Sequence, residues 1–346
     1  MEYTLADYAY DNDAFLPSTI FEKITEIRVD SPEIILKNAE ERKRRSRLTV
    51  DGRLTILAAD HPARGVTRIG NDPFKMGNRQ EYLGRILRVL VASNFDGFMG
   101  TPDFIEDLLI LDYLIKEGGG PSILDEKVLI GCMQRGGIAG VVGEIDDTFN
   151  AYTAKSIARF QLDGGKMMFR FVPDDERTLR TIQYCAQAVT NLNKHGTVPF
   201  VEPLRMDFHN GAWVSKNVAD ELVKLVGVVA GLGDSSIHKW IKIPYCEDFH
   251  RVAIATTLPI LILGGASKEN PEPIFSVVSS AMATRSNVRG TLVGRNVTFP
   301  GREDPGAVAQ GIWEIVHQGM SIEDALETTM KSRDRDLDFL TSYIRR

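Results

Sequence analysis

The chain has 346 residues, of which 43% are hydrophobic and 25% charged, a composition typical of a folded globular protein and not of a disordered or coiled-coil one. Because the net charge is −6 and nucleic-acid binders usually carry a basic excess, we expect no nucleic-acid partner. The three cysteines are widely spaced and form no CxxC pair, which predicts reduced thiols in a cytoplasmic protein. The N-terminus lacks the apolar core of a signal peptide and no apolar run is long enough to span a bilayer, so we expect no membrane partner.

From residue 54 onward, short apolar runs alternate with longer amphipathic segments. The apolar runs predict strands over 54–60, 97–100, 128–133, 166–171, 198–204, 240–245, 259–263 and 290–293. The segments between and after them predict helices over 77–93, 102–117, 150–162, 174–194, 216–232, 247–256, 270–285 and 304–318. Strict alternation of strands and helices requires a parallel sheet, and eight repeats favour an α/β fold of the closed (β/α)8 barrel type.

Residues 1–50 do not follow this repeat and predict a helical N-terminal extension to a barrel that spans 51–332. The charge run 40–47 within the extension is interpreted as the solvated face of a helix. A C-terminal helical tail is predicted over 333–346. The helix before it begins at Ser321, because SIED resembles a capping box.

Lys242 lies in the middle of the sixth predicted strand, between apolar neighbours. Burial and nearby cations lower the pKa of a lysine, and the neutral amine is a nucleophile toward carbonyl groups. The alternative is a strand-end lysine that reaches solvent or pairs with a carboxylate. The position alone therefore indicates a candidate Schiff-base lysine and leaves a structural role open.

Two further ionisable residues are predicted to converge on Lys242. Lys166 belongs to the fourth predicted strand and Glu202 to the fifth, and both meet Lys242 if their faces point into the barrel. A second ammonium group would lower the pKa of Lys242 and a carboxylate could carry protons, whereas a buried structural ion pair between Lys166 and Glu202 is the alternative. Asp60 ends the first predicted strand, where catalytic groups of barrels lie.

Glycines end the last two predicted strands. Barrels often bind phosphate at this place through backbone N–H groups, and a guanidinium group adds a charged fork. The predicted phosphate-binding residues are Gly264, Gly265, Gly294 and Arg295. Further arginines follow other strands, namely Arg64, Arg135, Arg170 and Arg205, and they suit a second anionic group on the substrate unless they pair with rim carboxylates such as Asp207.

We expect no metal and no cofactor, because the histidines show no HExxH-type pairing. A zinc site that combines His61 and His209 with His238 or His250 stays open as an alternative. The glycines of 135–144 lack the order of a dinucleotide-binding fingerprint.

Four segments together resemble a known superfamily: LAADHPARG, WIKIPYCEDFHRVAIATTLPILILGGAS, GTLVGRNV and IWEIVHQGMSIEDAL. They look like class I aldolases of the group that contains deoxyribose-phosphate, tagatose-bisphosphate and archaeal fructose-bisphosphate aldolases. The resemblance implies a Schiff base on Lys242, with Asp60, Glu202 and Lys166 as the acid–base and tuning residues. Archaeal fructose-bisphosphate enzymes carry a tyrosine on strand 5 that VEPLRMD lacks, and Tyr245 is a weaker acid–base candidate.

The pattern is most similar to aldolases associated with inositol catabolism in actinobacteria. That resemblance implies a cytoplasmic homo-oligomer that cleaves 2-deoxy-5-keto-gluconate 6-phosphate to dihydroxyacetone phosphate and malonic semialdehyde. Alternative substrates are tagatose or fructose bisphosphate, deoxyribose 5-phosphate and a sulfosugar phosphate. A zinc-dependent aldolase and a non-catalytic sugar-phosphate-binding regulator on the same barrel are the alternatives of other kinds.

Overall fold

Eight parallel strands close into a barrel in this computed structural model, which describes residues 3–5, 7–134, 145 and 148–344. The strands are β1 (Leu54–Ala59), β2 (Gly97–Gly100), β3 (Val128–Cys132), β4 (Gly164–Phe171), β5 (Val198–His209), β6 (Ala212–Ser215), β7 (Trp240–Pro244), β8 (Ile260–Leu263) and β9 (Val288–Val293). Around the barrel the order is β1, β2, β3, β4, β5, β7, β8, β9, and β9 returns to β1. The predicted (β/α)8 fold is confirmed.

Helices cover the outside of the barrel and form both terminal segments. They are α1 (Asn12–Phe15), α2 (Ser18–Asp30), α3 (Glu33–Glu41), α4 (Arg79–Ala92), α5 (Pro102–Glu117), α6 (Ala154–Arg159), α7 (Arg177–Lys194), α8 (Ala219–Ala230), α9 (Phe249–Ile254), α10 (Glu272–Met282), α11 (Arg295–Thr298), α12 (Pro305–Gln318), α13 (Ile322–Lys331) and α14 (Phe339–Tyr343). As predicted, Ser321 caps α13: its hydroxyl accepts the N–H of Asp324 at 3.1 Å. No helix within the described ranges combines the length and the apolar character needed to cross a membrane.

The alternation of side chains along β1 divides the apolar core in two. Leu54, Ile56 and Ala58 pack inside the barrel, whereas Leu57 and Ala59 belong to the larger cluster between the strands and the helices. The interior is therefore filled with side chains toward the N-terminal ends of the strands. The same alternation places residue 60, which follows β1, on the inner side at the opposite end.

The interpretation of the charge run 40–47 as a solvated helix face is only partly right, because most of its side chains are exposed but neither the helix nor the exposure extends over the whole run. Helix α3 ends at Glu41, and the chain then passes beneath the N-terminal ends of the strands. Arg42 is buried, donates to the carbonyl of Lys127 at 2.8 Å and lies 3.3 Å from Asp163. Arg45 pairs with Asp96 at 2.8 Å. These carboxylates are buried directly before strands, so they need cations, and the extension supplies them.

A hairpin that the sequence analysis did not predict extends β5 past the barrel rim. β5 runs on to His209, and β6 returns antiparallel beside it. Asn210 and Gly211 form the turn with φ of 50° and 80°, the left-handed conformation that an Asn-Gly hairpin turn requires. Asn-Gly between two alternating segments was the signal for this hairpin in the sequence.

Candidate active site

A cavity of about 380 Å³ opens at the C-terminal ends of the barrel strands. Its polar lining combines strand-end residues with residues of the hairpin and the segment after it: Asp60, His61, Arg64, Arg170, Glu202, Trp213, Ser215, Asn217, Lys242, Gly264, Gly265, Gly294 and Arg295. Most of the residues that the sequence predicts for the site therefore surround one space.

Two lysines and two carboxylates form a continuous chain of ion pairs at the base of this cavity. Lys166 Nζ lies 3.0 Å from Asp60 Oδ2 and 2.8 Å from Glu202 Oε2. The same Glu202 oxygen accepts a hydrogen bond from Lys242 Nζ at 2.9 Å. The predicted convergence of Lys166, Glu202 and Lys242 is what the structure contains. The alternative interpretation, an ion pair between Lys166 and Glu202, is present as part of the same chain.

Register and alternation explain why these side chains meet. In the parallel pair β4–β5, Lys166 stands opposite Phe200 and Met168 opposite Glu202, so Glu202 lies two residues nearer the rim than Lys166. On β4, Met168 and Arg170 share the face of Lys166 and line the cavity. Side-chain alternation along each strand thus points these polar residues into the barrel near the C-terminal end of the strand, beyond the apolar part of the interior.

The two lysines differ in pKa although they share a carboxylate. Burial alone would lower the pKa of Lys166, but Asp60 and Glu202 on either side outweigh it and raise the pKa, so this lysine stays protonated. Burial lowers the pKa of Lys242, and the charge of Lys166 adds to that effect against the opposing charges of Glu202 and Asp60. Lys242 is the lysine of this pair whose proton is more easily lost.

Both carboxylates are ionised. Burial alone would raise their pKa values, yet Lys166 together with the other nearby cations outweighs it in each case. The pKa of Glu202 falls to about 2, and that of Asp60 falls well below its ordinary value.

Access to the cavity separates the two lysines as well. Lys166 is fully buried beneath the cavity, whereas Lys242 forms part of its wall. Geometry and pKa therefore agree that Lys242 is the amine that a ligand can reach.

The glycines after β8 and β9 include two positions that a side chain would not tolerate. Gly265 has φ of 74°, which favours glycine, and a β-carbon on Gly294 would stand 2.7 Å from the carbonyl oxygen of Ala58. Beside them, the Nε atoms of Arg64 and Arg295 are buried without a hydrogen-bond partner among the described residues. Burial and the charge of Arg64 lower the pKa of Arg295. Two guanidinium groups that lie close together in this way are suited to an anion.

The other predicted arginines have different positions. Arg170 lines the cavity. Arg205 does not: it points away, lies 2.7 Å from Asp207 and donates to Glu221 at 3.2 Å. Its odd spacing from Glu202 on β5 places it on the outer face. Arg135 and the rest of the segment 135–144 lie outside the described residues.

The histidines of the alternative zinc site do not lie together, and Tyr245 lies outside the cavity. His61 lines the cavity, whereas His209, His238 and His250 are exposed, and His238 lies just before β7 at the other end of the barrel. Over the described ranges, no group of three or more His, Cys, Asp or Glu side chains is arranged to hold a metal ion. Tyr245 packs against Phe249 at a ring distance of 5.3 Å and is not part of the cavity lining.

The hairpin and the segment after it contribute residues to the site that were not predicted from the sequence. Trp213 and Ser215 of β6 and Asn217 after it close one side of the cavity, and Trp213 packs against Phe208 with ring centroids 4.9 Å apart. These residues lie in an excursion from the barrel, where the alternation of strand and helix gives no information about position.

The molecule is a (β/α)8 barrel that carries a buried lysine–carboxylate chain at the C-terminal ends of its strands. A family model matches residues 52–312, and the chain belongs to this Cgl0159-like family. The crystal structure of Cgl0159 from Corynebacterium glutamicum is 33% identical, covers 88% of this chain and 98% of that one, and superposes with a TM-score of 0.80.

More distant matches share the fold. An archaeal fructose 1,6-bisphosphate aldolase is 17% identical, with 82% of this chain and 100% of that chain covered and a TM-score of 0.56. A curated relative, 2-amino-3,7-dideoxy-D-threo-hept-6-ulosonate synthase 1 of Archaeoglobus fulgidus, is 30% identical over 87 residues. That alignment spans 25% of this chain and only 32% of the length of the relative.

Proposed function

We propose that this protein is a class I aldolase, a lyase that cleaves a phosphorylated keto sugar through a Schiff base on Lys242. The observation that carries the proposal is the position of the Lys242 amine, which lines the cavity and has a pKa lowered by burial and by Lys166. The shared fold with a Schiff-base-forming fructose-1,6-bisphosphate aldolase, at 17% identity and a TM-score of 0.53, supports it.

The reaction begins when the neutral Lys242 amine adds to the substrate ketone. The carbinolamine loses water and becomes an iminium ion, which withdraws electrons from the neighbouring carbon–carbon bond. A base takes the proton of the β-hydroxyl group, that bond breaks, an aldehyde leaves and an enamine remains on Lys242. Protonation of the enamine carbon and hydrolysis of the iminium release the second product and restore the lysine.

The residues around Lys242 divide the remaining tasks. Asp60, which is ionised and lines the cavity, is our candidate for the base at the hydroxyl group. Glu202 is in contact with the Lys242 nitrogen and orients it. Lys166 holds both carboxylates in place and, through its charge, favours the neutral form of Lys242.

The arrangement of the arginines favours a substrate with two anionic ends. Arg64 and Arg295 flank the glycines after β8 and β9, where we place the phosphate. Arg170 lies on β4, which is opposite β9 in the closed barrel. A substrate of six carbons with phosphate at one end and carboxylate at the other would have charged partners on both sides. The substrate that we propose is 2-deoxy-5-keto-gluconate 6-phosphate, because its ketone adjoins the phosphate-bearing carbon.

The chemistry is tested by reduction with borohydride in the presence of dihydroxyacetone phosphate, followed by peptide mass spectrometry. We expect a reduced adduct on Lys242, none in Lys242→Met, and an unchanged amount in the control Lys224→Met, which alters an exposed lysine on α8. Turnover without an adduct, lost on chelation, would indicate a metal-dependent aldolase instead. Binding without adduct or turnover would indicate a sugar-phosphate-binding regulator.

The substrate is tested by comparing kcat/KM for five compounds. We expect 2-deoxy-5-keto-gluconate 6-phosphate to exceed fructose and tagatose 1,6-bisphosphate, deoxyribose 5-phosphate and 6-deoxy-6-sulfofructose 1-phosphate. A preference for deoxyribose 5-phosphate, which has one charged end, would contradict the two-anion site. A preference for a bisphosphate or the sulfosugar would retain that site and reject the sugar acid.

A further inference from the structure

His61 follows Asp60 at the end of β1 and lines the cavity, but it is not part of the chain of lysine–carboxylate ion pairs. It is 9% exposed and lines the cavity. Its Nδ1 atom is buried 3.5 Å from Asp60 Oδ1 and forms no hydrogen bond to a described residue. A buried ring nitrogen without a partner is costly, so a polar partner supplied by a ligand would offset that cost.

The imidazole lies between the two parts of the site. On one side is Asp60, the end of the chain of ion pairs that leads to Lys242. On the other side its Cε1 atom lies 3.5 Å from the point where a β-carbon would stand on Gly294, in the loop where we place the phosphate. The ketone of the proposed substrate adjoins its phosphate-bearing carbon. His61 and Lys242 line the same cavity, so with the phosphate in this loop and the ketone at Lys242 we infer that the ketone oxygen would face the imidazole.

We propose that His61 is a catalytic residue that carries the proton from the Lys242 amine to the ketone oxygen when the carbinolamine loses water, and returns it when the iminium is hydrolysed. This proposal rests on the proposed aldolase function and assigns a residue to one of its steps.

The step balances without an outside acid. The Lys242 ammonium group gives a proton to His61, and the neutral nitrogen adds to the ketone carbon. His61 then protonates the oxygen, which gives the carbinolamine hydroxyl group. It next takes a second proton from the nitrogen and gives it to that hydroxyl, so the carbon–oxygen bond breaks and water leaves as the nitrogen lone pair forms the carbon–nitrogen double bond. Two of the three ammonium protons depart in the water, the iminium keeps the positive charge, and His61 is neutral before and after.

The two carboxylates are poorly suited to this transfer. Glu202 has a pKa of about 2, and its Oε2 atom already lies in contact with both lysines, whereas Asp60 is assigned to the β-hydroxyl group. A proton carrier is most efficient when its pKa is near the working pH. An ordinary imidazole meets this condition, and the pKa of His61 would approach it when a bound phosphate neutralises the arginines beside it.

The pKa of His61 depends on charged groups that would also contact the phosphate. Burial lowers its pKa well below the ordinary value, Asp60 opposes this, and Arg64, Arg295 and Lys242 add to it. The free imidazole is therefore neutral and able to accept a proton. A phosphate dianion on Arg64 and Arg295 would screen two of these charges and raise the pKa of His61 when substrate is bound.

The test measures how fast the adduct forms. Enzyme and dihydroxyacetone phosphate are mixed, quenched with borohydride after increasing times, and the Lys242 adduct is quantified by mass spectrometry. We expect His61→Gln and His61→Asn to form the adduct about 100-fold more slowly. We also expect the final amount of adduct to be unchanged, because a catalyst alters the rates in both directions equally. His250→Gln, an exposed position on α9, is the control and should match the wild type.

The outcomes separate the two proposals. A wild-type protein without an adduct would reject the Schiff base itself. A wild-type adduct that either His61 variant forms within threefold of the normal rate would overturn the role of His61 and leave the aldolase intact. A lower final amount at an unchanged rate would likewise overturn it, since His61 would then contribute to binding alone.

Discussion

The two ends of the barrel both bury carboxylates beside cations, yet they use different cations. At the N-terminal end, Asp96 accepts from Arg45, from His317 at 2.9 Å and from the backbone N–H of Thr55 at 2.8 Å. At the C-terminal end, one oxygen of Glu202 is shared by two lysines. At the N-terminal end the carboxylate is held by several directed hydrogen bonds. At the C-terminal end one of the paired amines borders a cavity.

This difference follows from what each cation can do. Arginine keeps its proton at any accessible pH and makes directed contacts with carboxylates, so it suits a permanent pairing. A buried lysine changes its pKa readily and is therefore the group that can become a nucleophile. We infer that the N-terminal end of the barrel serves stability and the C-terminal end retains reactivity. The following predictions test this contrast.

The largest effect is expected at Lys242. Lys242→Met should abolish cleavage, because loss of the nucleophile costs more than the roughly 10²–10⁴-fold typical of a general acid or base. Its counterpart Arg45→Met should lower the free energy of unfolding while keeping kcat per folded molecule. Steady-state kinetics with urea denaturation checks both variants. One hundredth of wild-type activity in Lys242→Met would contradict the assignment.

Lys166→Met should affect both stability and activity. The change leaves Asp60 and Glu202 buried without their central cation, and loss of one partner of a buried ion pair costs about 3–5 kcal/mol. It also removes the charge that lowers the pKa of Lys242. Urea denaturation measures the first effect, and the rate of adduct formation against pH measures the second. At the N-terminal end, Arg42→Met should lower the free energy of unfolding without lowering activity. If Arg42→Met lost as much activity as Lys166→Met, the two ends of the barrel would not differ in function.

Arg295→Ala should weaken recognition of phosphate. A charge-assisted hydrogen bond contributes about 1.5–3 kcal/mol, so KM for phosphorylated substrates should rise roughly tenfold to a hundredfold. Unphosphorylated analogues should change much less. Arg205→Ala, which alters an arginine paired with Asp207 and Glu221, is the control. If both kinds of substrate respond equally to Arg295→Ala, the phosphate binds elsewhere.

The smallest expected effect is the pH dependence of the stability that His317 contributes at the N-terminal end of the barrel. Burial alone would lower the pKa of His317, but hydrogen bonds and charges from Asp96 and Asp51 raise it above 6.5. The stability that this imidazolium adds is therefore complete below the unfolded pKa of about 6.5 and is lost as the pH rises through the higher folded pKa. Urea denaturation of the wild type and His317→Gln should show a difference in the free energy of unfolding that narrows as the pH rises above about 6.5. A difference that widens with pH would contradict the raised pKa.

Much of the fold was predictable because it is local in sequence. The alternation of apolar runs and amphipathic segments predicted each barrel strand to within a few residues, apart from the extension of β5 to His209. Side-chain alternation along β4 was enough to place Lys166 and Arg170 on one face. The same rule, applied to β5, would have turned Arg205 away from Glu202.

Local patterns in the amino-acid order were enough to predict the repeat, the strand that carries Lys242 and the glycines at the ends of the last strands. The folded molecule shows which lysine borders the cavity, because Lys166 and Lys242 look alike in sequence and differ through burial and through the carboxylates around them. It also shows that the arginines after α3 serve Asp96 and Asp163, and that Trp213 closes the cavity. Periodicity depends on residues that are close in sequence. The pKa of a lysine and its access to the cavity depend on groups that come together only when the barrel closes.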